Sequence, residues 1–159
     1  MLKFNPNLVI LMPLGVFGAF EQAVLAEGLE VCGLLGGIRR KNTTEICHSV
    51  PVVNRLGLAD RFESEPASHF AAVRILREKG LEWVGTYHSH PLSPPNPSKW
   101  DLQMALGGGM VDFIVGREGN QWLGRFWDFT LGYPLPVRLS HCALGPIWDI
   151  SLQDASRTI

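Results

Sequence analysis

The chain predicts an α/β domain whose mixed β-sheet packs with helices. Two patterns predict it. Apolar residues at helical spacing alternate with extended runs rich in branched side chains, and glycine or proline punctuates most of the changes. Composition sets the class: 159 residues, 46% apolar and 18% charged, match one ordinary globular domain with enough apolar side chains for a core. A single domain over residues 1–159 is expected, with a polar C-terminus that frays over about its last ten residues.

The elements follow in order. Residues 8–12 read as a buried strand, in an apolar run too short to cross a membrane. Pro13 suits the first turn of a helix and Gly28 its C-terminal cap, with Leu14, Phe17, Phe20 and Val24 on one apolar face. Lys3, the apolar run and Val24-Leu25-Ala26 come in the order of a secretory signal. Pro13 interrupts that run and Glu21 and Gln22 follow it, so a cytoplasmic chain is expected.

Residues 30–35 read as a mostly buried strand ending at Gly36-Gly37, and 43–53 as a second extended stretch. Arg39-Arg40-Lys41 reads as a solvated turn between them. Ser64-Glu65-Pro66 opens a helix whose stripe is Phe70, Val73 and Leu76, closed by Gly80. Residues 82–88 read as a central strand. A short helix is expected from Ser98 to about Leu106, stopped by Gly107-Gly108-Gly109. Strands over 111–115 and 121–129 flank a turn at 117–120, and 137–144 gives a weaker strand signal.

Charge and cysteines exclude several classes. A formal charge of −1 gives no footprint for nucleic acid, and nothing marks a membrane-bound chain. Cys32, Cys47 and Cys142 show no C-x-x-C spacing, so neither a disulfide framework nor a four-cysteine zinc site is read, and a reducing compartment is expected. His141-Cys142 are neighbours that point to opposite faces of a strand, so they chelate poorly together. Oligomeric state stays open, a homodimer through apolar edge strands being compatible. Trp83, Trp122 and Trp127 read as packing residues, Trp100 as a residue at the mouth of the site, and Asn54, His48 and His69 as surface polar groups.

The chemistry sits in His88-Ser89-His90-Pro91 with Ser98 and Asp101. On an extended backbone the two-residue period puts both imidazoles on one side and Ser89 on the other. Pro91, Pro94, Pro95 and Pro97 stiffen the loop that follows, and Asp101 falls one helical turn after Ser98. Two imidazoles and a carboxylate are the three protein ligands of a catalytic zinc, whose fourth position is left to water. Iron or cobalt accepts the same donors. Taken alone, Ser98-x-x-Asp101 is an ordinary capping-box variant and a lone H-x-H is weak.

Together these residues resemble the JAMM (MPN-plus) metalloproteases. The family's signature is an upstream glutamate, then H-[ST]-H-P, then S-x-x-D with its serine eight positions after the second histidine. Gly85-Thr86-Tyr87-His88-Ser89-His90-Pro91 and Ser98-Lys99-Trp100-Asp101 satisfy it, and Glu30-x-Cys32-Gly33-Leu34-Leu35-x-Gly37 is similar to the family's first motif strand. The resemblance spans about residues 8–115. It implies a curved mixed sheet sandwiched by helices, the JAMM/MPN architecture related to cytidine deaminases. It implies that His88, His90 and Asp101 hold zinc, with Glu30 as general base to the attacking water and Ser98 as oxyanion donor. It also implies a peptidase or isopeptidase acting near the glycine-rich tail of a ubiquitin-like or sulfur-carrier protein. The alternative is a non-catalytic MPN scaffold, which typically lacks part of the ligand set. A zinc deaminase would need H-x-E and P-C-x-x-C, and a serine hydrolase of the elbow type G-x-S-x-G; none occurs.

Overall fold

A computed structural model describes residues 9–11, 16–26, 28–56, 62–105, 109–129, 132, 134–138 and 147–156. In chain order the elements are β1 (Val9–Leu11), α1 (Phe17–Leu25), β2 (Cys32–Arg39), β3 (Thr43–Val52), α2 (Pro66–Glu78), β4 (Glu82–His90), α3 (Lys99–Gln103), β5 (Val111–Glu118), β6 (Gln121–Trp127), β7 (Val137–Arg138), β8 (Ile150–Ser151) and α4 (Leu152–Ser156). One sheet holds all the strands in the order β7-β1-β3-β2-β4-β5-β6-β8. It is mixed, as expected: β4 runs parallel to β5 and β1 parallel to β3, while β2 is antiparallel to both β3 and β4.

Strand alternation sorts the side chains into two cores. On one face Val84, Tyr87, Val111, Phe113, Val115 and Phe126 pack with Phe20 of α1 and Ala155 of α4. On the other Cys32, Leu34, Val50 and Val52 pack with Ala72 and Leu76 of α2. Helices therefore cover both faces. Each fully buried side chain of this size contributes about 1.5–3 kcal/mol of transfer free energy.

Several expected boundaries move. Residues 30 and 31 precede β2, and Gly36-Gly37 do not end it. The pairing shifts register there instead, against β3 between Gly36 and Gly37 and against β4 between Leu35 and Gly36. A Cβ on Gly37 would collide with the Glu45 carbonyl oxygen, so the glycine permits an irregular close approach inside a continuing strand. Arg39 consequently belongs to β2, and the turn is carried by residues 40–42.

The helix faces are also rotated from expectation. In α1, Val24 is exposed while Val16, Ala19, Phe20 and Ala23 are buried, because small alanines let the helix lie close on the sheet. Gly28, at φ +90°, turns the chain two residues beyond the Ala26 cap. In α2 Phe70 is 69% exposed, and Ala72 and Leu76 supply the buried contact. The start of α2 holds: the Glu65 carboxylate accepts from Ala67 N and Ser68 N, Pro66 follows, and Gly80 at φ +71° lies just past the end.

Strand β4 runs on to His90 and β5 to Glu118, leaving Gly119-Asn120 as the turn. Strand β6 stops at Trp127, and α3 closes at Gln103, with residues 106–108 outside the description. Of the 137–144 segment, β7 is described; His141 and Cys142 lie outside the described residues, as do Pro13 and Leu14. Towards the C-terminus, Ile150 and Ala155 are fully buried. Residues 157–159 are not described. Among the described residues no helix is long and apolar enough to cross a membrane.

Candidate metal centre

The site forms where the end of β4 meets the start of β2. The two strands are antiparallel, with Cys32 opposite His88, so Glu30 is brought beside the H-x-H pair. Ser89 fixes that junction: Val31 N donates to Ser89 Oγ at 2.9 Å, and Ser89 N donates to Val31 O at 3.0 Å. Ser89 thus points away from the imidazoles, as the strand period requires, and is fully buried. Asn54 holds the other side of Glu30, its Nδ2 donating to Glu30 O at 3.0 Å while its Oδ1 accepts from Leu56 N and Glu63 N.

The proline-rich loop carries the chain from His90 to α3. It lies back on β5 and β6: Arg117 N of β5 donates to Ser93 O at 2.8 Å, and Trp127 Nε1 of β6 to Pro95 O at 2.9 Å. Gly116 admits it, since any Cβ there would collide with the backbone of Ser93–Pro95. Asp101 then arrives on the first turn of α3 through a reciprocal cap. Asp101 N donates to Ser98 Oγ at 3.1 Å and Ser98 N to Asp101 Oδ2 at 2.8 Å.

These constraints converge three donor atoms. His88 Nε2 and His90 Nε2 are 3.2 Å apart, Asp101 Oδ1 is 3.1 Å from the first, and Asp101 Oδ2 is 3.1 Å from the second. All three side chains are buried. Glu30, also buried, sets Oε1 3.9 Å from His90 Nε2. The fold thus brings His88, His90 and Asp101 together with Glu30 beside them, and Ser98 adjoins the group through its two bonds to Asp101.

The donor chemistry fits a divalent metal. Two imidazole nitrogens and a carboxylate crowded this closely repel through their lone pairs unless a proton or a cation lies among them. His90 Nδ1 lies 3.3 Å from Pro94 O; with its proton on that nitrogen, Nε2 is left as the ligand atom. Phe62 stacks on His88 at 4.5 Å between ring centroids, closing one side to water.

Charge states follow from burial and neighbours. Burial holds the His88 imidazole below its usual range despite its bond to Asp101. Burial acts the same way on His90, but the hydrogen bond and charge of Asp101, with Glu30, outweigh it and raise that group. Burial alone would raise Asp101; the bonds from both histidines overcome it and keep the carboxyl far below the carboxylate range. Cys32, opposite His88, turns its thiol to Val52 O at 3.6 Å, and burial, then the charge of Glu30, push it up to about 12.

Sequence reasoning missed Asn54, Phe62, Thr86 and Asp112. Asn54 is half-buried, not a surface group, and His69 is half-buried with its ring edge-on to Trp83 at 4.9 Å. Trp127 packs as expected, and Trp100 Nε1 donates to Phe62 O at 3.0 Å, tying α3 to the segment over His88. A cavity of about 150 Å³ adjoins His88 and Asp101, and a wider groove of about 450 Å³ runs past Glu30.

A buried His-His-carboxylate triad at the carboxyl end of a sheet strand, with a glutamate beside it, defines a metal-site α/β domain. The chain belongs to the family of prokaryotic homologs of the JAB domain, whose model matches residues 19–130. The chain is 34% identical over 101 residues to a desampylase of Haloferax volcanii, a match covering 60% of this chain and 70% of that protein. It is 39% identical over 116 residues to human deubiquitinase MYSM1, covering 71% of this chain but 14% of MYSM1, so it spans only a small part of that longer relative. In fold it is similar to protein DSY2949 from Desulfitobacterium hafniense, with a TM-score of 0.69, 24% identity, and coverage of 84% of this chain and 93% of that one.

Proposed function

We propose that this chain is a zinc-dependent metallopeptidase or isopeptidase. Its substrate is the amide bond beside the glycine-rich C-terminal tail of a ubiquitin-like or sulfur-carrier protein. One observation carries the reading: His88, His90 and Asp101 converge on one point with Glu30 alongside. The relatives named desampylase and deubiquitinase support the substrate class. Cytoplasmic location belongs to the same reading, in keeping with the free thiols of Cys32 and Cys47.

His88, His90 and Asp101 would hold the ion. Bound zinc supplies a water acidified from about 15.7 to about 7 and a Lewis acid for the substrate carbonyl. The remaining work falls to the chain. Glu30, held by its neighbours through Val31–Ser89 and Asn54, takes a proton from the attacking water and returns it to the departing nitrogen as the C–N bond breaks. Ser98 spends a lone pair on the Asp101 N–H, which leaves its own O–H to donate to the carbonyl oxygen as that oxygen gains charge.

The test is hydrolysis of ubiquitin-like or sulfur-carrier proteins extended past a C-terminal Gly-Gly, by zinc-loaded wild type and by Glu30→Gln. The expected result is cleavage after the second glycine, slowed about 10²–10⁴-fold in Glu30→Gln with zinc retained. No cleavage of any such carrier, or equal rates in the two proteins, contradicts the reading.

A further inference from the structure

The cavity beside His88 and Asp101 has no part in the chemistry described above. Its apolar walls include Leu34, Val52, Phe62 and Trp83. At about 150 Å³ it is well below the roughly 300–1,000 Å³ of pockets that enclose a whole small molecule, and it suits one side chain. It also contains a polar pair. Thr86 and Asp112 face each other across the parallel β4–β5 ladder, and Thr86 Oγ1 donates to Asp112 Oδ1 at 2.7 Å. Thr86 stands two residues before His88 on the same strand face, about 6–7 Å along the backbone from the first ligand.

Resting on the hydrolase reading and deepening it, we propose that this cavity takes the side chain of the residue that departs with a free α-amine. Asp112 makes it select a long basic side chain, lysine foremost. A glycine tail has no side chain to place in a cavity, so a side-chain-sized space against the ligands serves the leaving side of the bond. Apolar walls match an aliphatic stem, and the carboxylate within reach of its tip matches an ammonium through a charge-assisted hydrogen bond. Burial pushes Asp112 up to about 7, and an arriving cation would hold it ionised.

Trp83 provides a reporter, because it lines the cavity and its indole N–H donates to Gly85 O at 2.9 Å. The experiment follows the Trp83 indole resonance of the zinc-loaded full chain by ¹H–¹⁵N NMR, assigned with Trp83→Phe. L-lysinamide, L-norleucinamide and the α-amide of glutamate are titrated in turn. Lysinamide should saturate the shift about ten- to a hundredfold below norleucinamide, the reach of one charged hydrogen bond, with the glutamate amide weakest. Asp112→Asn should erase the lysine advantage and leave norleucinamide as in wild type. Equal binding of lysinamide and norleucinamide, or a lysine advantage that survives Asp112→Asn, overturns the proposal. A parallel arm uses ubiquitin extended past Gly-Gly by one lysine, methionine or glutamate. Hydrolysis without preference among the three sinks the pocket and leaves the hydrolase. Asp112-dependent lysinamide binding in a protein that cleaves nothing upholds the pocket and sinks the hydrolase.

Discussion

Ser89 and Val31 exchange two hydrogen bonds, Val31 N to Ser89 Oγ at 2.9 Å and Ser89 N to Val31 O at 3.0 Å, although 58 residues separate them. The residue between the two histidines thereby anchors the residue after Glu30. The two imidazoles and the carboxylate keep their spacing because one serine hydroxyl ties β4 to the segment that leads into β2.

Ser89→Ala leaves the buried Val31 N–H without its acceptor. Stability should fall by about 1–3 kcal/mol, the desolvation cost of an unsatisfied buried donor. Turnover should fall as Glu30 loses its register, while zinc binding by the imidazoles persists. Urea unfolding beside zinc content checks this; an unchanged midpoint contradicts the anchoring role.

Ser98→Ala removes the cap of α3 and, on the proposed mechanism, the oxyanion donor. Loss of the cap on α3 should cost about 0.5–2 kcal/mol, and loss of the donor should slow turnover about 10²–10³-fold. Unfolding midpoints and kcat measured on the same protein separate the two. A full stability loss with kcat unaltered would reduce Ser98 to a helix cap.

Asp112 sets a pH dependence of stability. Burial, with the charges of Asp101 and Asp128, raises it from an ordinary 3.8 to about 7, against the hydrogen bond from Thr86. Between these values the folded chain keeps a proton that the unfolded chain has released. Its contribution is therefore full below about 4 and is lost as pH rises through about 7. Metal-free wild type should lose stability relative to Asp112→Asn between about pH 4 and pH 7, read from urea midpoints. Parallel pH profiles contradict it.

Much of the site was legible because its signals are local. H-x-H fixes two imidazoles on one face through strand period alone, and S-x-x-D brings Asp101 back to Ser98 within one helical turn. Glu30 was legible only through family resemblance, since nothing local distinguishes it from Glu63 or Glu65; its place is set by the β2–β4 pairing. Asn54 and the Thr86–Asp112 pair carry no local pattern, being defined by contacts across 24 and 26 residues. The glycines misled for a related reason. Gly36-Gly37 read as a stop, but their lack of side chains serves an irregular crossing of three strands. Val24 and Phe70 obey helical spacing yet face outward, because alanines occupy the tight contacts with the sheet.

The measurement that tests the central claim most directly is zinc content by elemental analysis, on wild type, His88→Ala and Asp101→Ala side by side. One zinc per wild-type chain, lost in both variants, is the predicted result. Wild type that holds no metal and takes up none on adding zinc contradicts the account and leaves a non-catalytic scaffold.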